Sequence, residues 1–212
     1  GVDRLDYTKG IPERLDALDA LMIKRPDLRG RLTFVQIGVP SPSDLKSYAA
    51  IEARIGERIA AVNARHAVPG GPPVVSYYTT PLGAFSLVAL YRLVHFCIVS
   101  SLHDGMNLVA KEFVAARDDE CGVLVLSALA GAAQALEDAV IINPYDVEAF
   151  AIALEQAISM TSEEQITRMR AMRKVVAGRN VFNWASDILE GLESLWTKPL
   201  LYSVRGWEET SV

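Results

Sequence analysis

Apolar runs of strand length alternate along this chain with segments whose apolar residues recur at helical spacing. That alternation constrains the fold more than any other feature of the sequence. Leu32 to Ile37, Val74 to Tyr78, Val94 to Val99, Gly122 to Leu126 and Val140 to Ile142 read as strands. Ile11, Leu15, Leu18 and Met22 are spaced four, three and four, one face of a helix that Pro26 and Gly30 end. Tyr48, Ile51, Ile55, Ile59 and Val62 mark a long second helix, with Glu52, Arg54, Glu57 and Arg58 on its solvated face. Phe85 to Tyr91, Leu108 to Ala116 and Val147 to Met160 read as further helices. Strands and helices in alternation predict an α/β fold: a mainly parallel sheet with helices on both faces.

The later segments carry local signals. Ser127 to Leu136 reads as a small-residue turn and helix, where Gly131 among alanines permits close approach to a ligand or a neighbouring helix. Asp146 is a candidate N-cap, and Ser162 with Gln165 has the form of a capping box. Val181 to Trp196 is amphipathic, and the face holding Trp184, Ile188, Leu192 and Leu195 is expected in the core. Pro199 should stop that helix. The expectation is one domain over residues 1–197 and a loose tail over 198–212.

Composition narrows the function classes. Half the residues are hydrophobic and 22% are charged, which describes a globular chain and not a disordered one. A net charge of −5 argues against nucleic-acid binding, which calls for clustered positive charge. No apolar run reaches the ~18 residues of a membrane span, and no secretory signal is visible. Cys97 and Cys121 do not make a disulfide framework, which fits cytoplasmic residence, and Cys97 reads as a small core residue. The opening Gly1-Val2-Asp3-Arg4 resembles the tail of a strand without its beginning, as in a C-terminal part of a longer protein.

Two stretches carry chemistry. Ser101-Leu102-His103-Asp104-Gly105-Met106-Asn107 joins a buried strand to the helix beginning at Leu108. Open α/β sheets place ligands at such junctions. The free N–H groups of Leu108 to Lys111, aided by the helix dipole, attract an anion. Asp104 lies in the turn, and Glu112 lies one helical turn beyond Leu108. An anion site between two carboxylates suits a phosphate flanked by hydroxyl-rich sugars; an ordinary strand–loop–helix junction fits the same residues. In the opening loop, Arg4 and Lys9 would suit a diphosphate, or would pair with Asp3 and Asp6 as a solvated charge cluster. There is no Gly-x-Gly-x-x-Gly, no Walker loop and no metal-ligand spacing. His66, His95 and His103 are scattered and supply no nucleophile–base pair.

Val2-Asp3-Arg4-Leu5-Asp6-Tyr7-Thr8-Lys9-Gly10 and Asp104-Gly105-Met106-Asn107-Leu108-Val109-Ala110-Lys111-Glu112 together resemble the trehalose-6-phosphate synthase family. Val39-Pro40-Ser41, Gly122 to Ser127 with Ala130 to Ala133, and Asn143-Pro144 fit the same family in the same order, over roughly residues 1 to 197. The resemblance implies a retaining GT-B glycosyltransferase of two Rossmann-like domains, of which this chain is the C-terminal, donor-binding half. It implies transfer of glucose from UDP-glucose to glucose 6-phosphate, with no metal and no cofactor. Arg4 and Lys9 would hold the donor diphosphate, and Asp104 with Gly105, Met106 and Asn107 the glucose hydroxyls. Leu108 and Val109 would offer amides to the diphosphate, with Ala110 and Lys111 in the same substrate-binding stretch, Glu112 would take the ribose, and the backbone near Leu82 would meet the uracil. The donor's own phosphate would help deprotonate the acceptor on the front face. The implied partners are the two sugars and an N-terminal Rossmann domain, with room for a homo-oligomer.

The family's pattern is broken at three places. Pro42 stands where an arginine normally grips the acceptor phosphate, His103 stands where an arginine usually precedes Asp104-Gly105, and Pro81 precedes Leu82. Loss of the first contact would cost roughly 10- to 100-fold in affinity. These departures leave open a related glycosyltransferase or pseudo-glycosyltransferase with another donor or acceptor, and a non-catalytic regulatory homologue.

Overall fold

The computed structural model describes residues 1–40, 45–179 and 181–197. Strands and helices follow in the order β1 (Val2–Arg4), α1 (Ile11–Lys24), β2 (Phe34–Val39), α2 (Leu45–Arg65), β3 (Val75–Tyr78), α3 (Ala84–Leu93), β4 (Phe96–Val99), α4 (Leu108–Ala116), β5 (Val123–Ser127), β6 (Val140–Ile142), α5 (Val147–Ser159), α6 (Ser162–Gly178) and α7 (Val181–Thr197). The chain divides into two compact units, Gly1–Val176 and Ala177–Val212.

In the first unit every strand pairing is parallel. The ladders form two three-stranded sheets, β1-β2-β3 and β4-β5-β6, where one sheet was expected. No ladder joins β1 to β4; β1 has only three residues, all paired with β2.

Side-chain alternation along the strands separates two cores. Ile98 of β4 and Val123 and Val125 of β5 turn to one side, with Ile11, Leu15 and Leu18 of α1 and Phe150 and Leu154 of α5. Cys97 and Val99 of β4 and Leu124 and Leu126 of β5 turn to the other, with Phe113 and Val114 of α4 and Met169 and Met172 of α6. A period of two puts successive residues on opposite faces, so a strand covered on both sides must be apolar throughout. All five residues of β5 are buried. Cys97 lies in this core as expected, and burial pushes its thiol up to about 11.

Local signals place most element ends. Gly10 adopts a left-handed conformation (φ 61°) just before α1, whose first turn holds Pro12. Asp146 caps α5 by accepting from the amide of Ala149 at 3.0 Å. At α6 the capping oxygen belongs to Thr161, which accepts from Glu164 N, and not to Ser162. Gln165 instead donates to the Met160 carbonyl and accepts from the Gly122 amide. β2 is shifted two residues toward the carboxyl end of the expected Leu32–Ile37, and β4 begins at Phe96 rather than Val94. Ser127 ends β5, and only Gly131–Gln134 forms a short 3-10 turn where a turn and helix were expected.

The expected core face of α7 is not buried. Trp184, Ile188, Leu192 and Leu195 are 54%, 42%, 50% and 67% exposed. In the second unit α7 is the one complete element described, and no other element among the described residues of that unit closes over it. Ser41 to Ser43, including Pro42, and residues 198–212, including Pro199, lie outside the described residues. Among the described residues no helix is long and apolar enough to cross a membrane.

The packing of α1 predicts a contrast within one helix. Leu15 has no exposed surface, whereas Ile23 is 56% exposed. Leu15→Ala should cost about 2–5 kcal/mol in urea unfolding, and Ile23→Ala less than about 0.5 kcal/mol, with the urea dependence unchanged in both.

Candidate active site

The carboxyl ends of β1 and β4 carry two loops that are hydrogen-bonded to each other. In the first, Asp6 accepts from the amide of Thr8 at 2.8 Å and starts a 3-10 turn over Tyr7–Lys9. In the second, the amide of Leu102 donates to the Thr8 carbonyl at 2.7 Å. Gly10 closes the join: a Cβ there would lie 2.2 Å from the Ser100 carbonyl oxygen, and its φ is positive. Only glycine meets both conditions without strain.

This contact brings Lys9 to Asp104. The two side chains are 2.6 Å apart and only 14% exposed. Asp104 is held on both oxygens. Its Oδ2 accepts from Lys9 and, at 3.1 Å, from Asn107, with the Ser101 hydroxyl at 3.4 Å. Its Oδ1 accepts from the Met106 amide at 3.3 Å. Burial opposes its ionisation, but the hydrogen bonds from Lys9, Asn107 and Met106 outweigh that and hold the carboxyl below its ordinary 3.8.

Asn107 turns the chain into α4. Its φ of 72° is in the left-handed region, which asparagine tolerates better than most residues, and its Oδ1 accepts from Ala110 N at 3.0 Å. The amides of Leu108 and Val109 belong to the first turn and have no partner within the helix. Leu108 is 62% exposed, so the helix begins at the surface, four residues beyond Asp104. The loop rests on Gly131, whose amide donates to the Asp104 carbonyl at 2.9 Å, while Ala132 N donates to Met106 O at 2.7 Å. A Cβ on Gly131 would lie 2.1 Å from the Gly105 oxygen. The close approach expected at Gly131 is therefore to the Asp104–Met106 backbone, and not to a helix.

The remaining candidates are less tightly joined. Arg4 ends β1 with an exposed side chain and has no ion-pair partner among the described residues. Neither it nor Lys9 makes an ion pair with Asp3 or Asp6 among the described residues: Asp3 pairs with Arg14, and Asp6 caps its own turn, its carboxyl held below the ordinary value chiefly by the Thr8 amide with smaller contributions from the Lys9 and Arg4 charges. Glu112 accepts from the Tyr91 hydroxyl at 3.3 Å, and Lys111 is half-buried. Leu82, in the segment after β3, is exposed. No hydrogen bond or ion pair ties Arg4, Leu82 or Glu112 to the Lys9–Asp104 pair among the described residues. His66 pairs with Asp19, far along the chain from His103, and no cluster of three His, Cys, Asp or Glu forms a metal-ligand set among the described residues.

A cavity of about 390 Å³ lies at the opposite ends of the strands, lined by Val2, Phe34, Val35, Phe96 and Cys97. It is mostly apolar, and it sits at the amino ends, whereas ligands of open α/β sheets bind at the carboxyl ends. The loop pair is the better site.

Two buried residues were missed in the sequence: Arg14, with no exposed surface, and Ser100 behind the loop join. The signal was present. Arg14 falls between Ile11, Leu15 and Leu18 on the apolar stripe of α1, where an unpaired charge would not be tolerated.

The Asp104 carboxyl should titrate below 3.8, and Lys9→Met should raise its pKa, as read by carbonyl chemical shifts. Because the folded value is the depressed one, this group's contribution to stability is present above 3.8 and is lost as pH falls through the folded value. Lys9→Met should therefore flatten that acid limb.

The model of glycosyltransferase family 20 matches residues 1–194. The chain is 40% identical over 193 residues to the trehalose-6-phosphate synthase of Sinorhizobium fredii, covering 91% of this chain and 41% of that protein. It is 39% identical to the bifunctional trehalose-6-phosphate synthase/phosphatase of Thermoproteus tenax, covering 91% of this chain and 26% of the relative. Among solved structures, it is similar to an alpha,alpha-trehalose-phosphate synthase (UDP-forming) from Burkholderia xenovorans in complex with glucose-6-phosphate, with TM-score 0.86 and 39% identity over 91% of this chain and 43% of that one. It is equally similar (TM-score 0.86, 37% identity, the same coverage) to the E. coli protein bound with UDP-2-fluoro glucose. The chain thus spans less than half the length of these relatives, and over that span its parallel α/β architecture and its sequence agree with theirs: it belongs to glycosyltransferase family 20.

Proposed function

We propose that this chain is the donor-binding part of a trehalose-6-phosphate synthase, which transfers glucose from UDP-glucose to glucose 6-phosphate. The observation that carries the reading is the 2.6 Å contact between Lys9 and Asp104, which unites the two family motifs in the loop that leads into the first turn of α4. The E. coli structure bound with UDP-2-fluoro glucose and the Burkholderia xenovorans complex with glucose-6-phosphate support donor and acceptor of these classes.

The chemistry follows from charge. As the bond from glucose C1 to the diphosphate oxygen breaks, its electron pair leaves with UDP. The negative charge that develops falls between cations (Lys9 and Arg4) and the helix amides, which need not reorganise to receive it. An ammonium carries three donors, so Lys9 can keep Asp104 while donating to a phosphate. Asp104 and the Gly105–Asn107 backbone then orient the glucose hydroxyls, Glu112 takes the ribose, and the segment at Leu82 meets the base. The acceptor hydroxyl attacks on the face the diphosphate leaves, so configuration at C1 is retained and its proton passes to the departing phosphate. Acceptor contacts come from a second Rossmann-like domain, because such reactions occur between domains. The two free cysteines fit a cytoplasmic enzyme.

Pro42 favours one further reading, a relative with a different acceptor, since proline offers no charge and no amide donor.

The test uses the full-length protein with UDP-glucose and glucose 6-phosphate, following UDP release and trehalose 6-phosphate. Arg4→Ala and Glu112→Ala should each lower kcat/KM by about 10- to 100-fold, the value of a charge-assisted hydrogen bond. Transfer to glucose 6-phosphate no faster than hydrolysis, with brisk transfer to another sugar, would move the assignment to the second reading.

A further inference from the structure

Behind the loop join lies a buried polar chain with no direct access to a ligand. Arg14 Nη1 donates to Asp3 Oδ2 and to Gln36 Oε1, each at 2.7 Å, and its guanidinium lies 5.9 Å from the centre of the Phe34 ring. Gln36 Nε2 in turn donates to Asp3 Oδ2 and to the Ile37 carbonyl, each at 3.0 Å. The fourth contact leads toward the site: Arg14 Nε donates to Ser100 Oγ at 2.9 Å. The Ser100 hydroxyl then donates its single proton to the Gly10 carbonyl at 2.8 Å, with the Lys9 carbonyl at 3.2 Å. Ser100, Arg14 and Gln36 have no exposed surface.

A buried ion pair is weak evidence for stability, because desolvation consumes much of the attraction and an apolar replacement is often as stable. What distinguishes this one is its end point. β1 and β4 share no ladder; beyond the strands, the backbone bonds across the break run from Leu102 N and His103 N to the Thr8 carbonyl, one residue short of Lys9. The Arg14–Ser100 bond crosses that break and terminates on the backbone of Lys9 and Gly10. An opening loop that carried the Lys9 and Gly10 carbonyls away would leave the Ser100 proton without these acceptors in the interior.

We infer that Ser100 and Arg14 are positioning residues that set the backbone of Lys9 so that its ammonium meets the leaving diphosphate beside Asp104. The inference rests on the reading of Lys9 as a diphosphate ligand. A shift of about 1 Å in such a group costs up to about 100-fold in rate. The loss should fall on kcat, because the charge on the diphosphate is greatest as it departs.

The experiment is a double-mutant cycle in the full-length enzyme with UDP-glucose and glucose 6-phosphate. Ser100→Ala should lower kcat at least about tenfold while changing the KM for UDP-glucose less than about threefold. In the Lys9→Ala background the same substitution should change kcat less than about twofold, because the group it positions is gone. Arg14→Lys keeps a cation for Asp3 and removes the Nε donor; it should repeat the pattern and serves if Ser100→Ala fails to fold. Melting temperatures should fall equally with Lys9 present or absent, which separates stability from positioning. If Lys9→Ala is impaired but Ser100→Ala costs as much in that background as in the native one, the positioning role is overturned and the functional reading stands. If Lys9→Ala turns over like the native enzyme, both fall.

Discussion

The candidate site is built on one ion pair between residues 95 apart in the chain. Lys9 and Asp104 meet at 2.6 Å because the two loops are already bonded through Thr8, Gly10, Ser100 and Leu102. The Leu102–Thr8 backbone bond and the Ser100 hydroxyl on the Gly10 carbonyl place the loops, and the Lys9 and Asp104 side chains are then aligned with little freedom left to lose. That order matters for chemistry. A cation held by scaffold can stabilise charge without moving when the charge appears, which is the condition under which such groups are most effective.

The same geometry explains the number of glycines and asparagines in these loops. Gly10 and Asn107 both have positive φ, and Gly10 and Gly131 each face a carbonyl oxygen nearer than a Cβ permits. The loops are pressed together from both sides: Gly10 against Ser100, and Gly131 against Gly105. The site is thus a contact between backbones, with a few side chains set into it. Asp104 binds four neighbours at once, so its ionised form is part of the folded arrangement.

Much of this was legible in the sequence. The continuous apolar run of β5 and the four-three-four spacing in α1 both describe covered surfaces, and α4 begins and ends where its pattern does. The strand–loop–helix junction at Ser101 to Glu112 is present as read, with Asp104 in the turn and α4 beginning at Leu108. What was hidden has physical reasons. A charged residue on an apolar stripe, Arg14, gives no sign of its partners, because Asp3, Gln36 and Ser100 come from three different strand regions. The cap of α6 moved to Thr161 because two adjacent hydroxyl residues compete for one position. The apolar face of α7 marks a surface that needs covering, but periodicity does not say by what. The break between β1 and β4 was also invisible, since a parallel pattern does not reveal where a ladder stops.

The central claim is that Lys9 serves a diphosphate and not merely Asp104. The most direct measurement is calorimetric titration of the full-length protein with UDP and with UMP, native and Lys9→Ala. The account predicts that the second phosphate improves affinity at least about tenfold in the native protein, and that Lys9→Ala reduces this advantage to about twofold or less. An advantage of UDP over UMP that is equally large without Lys9 would contradict it.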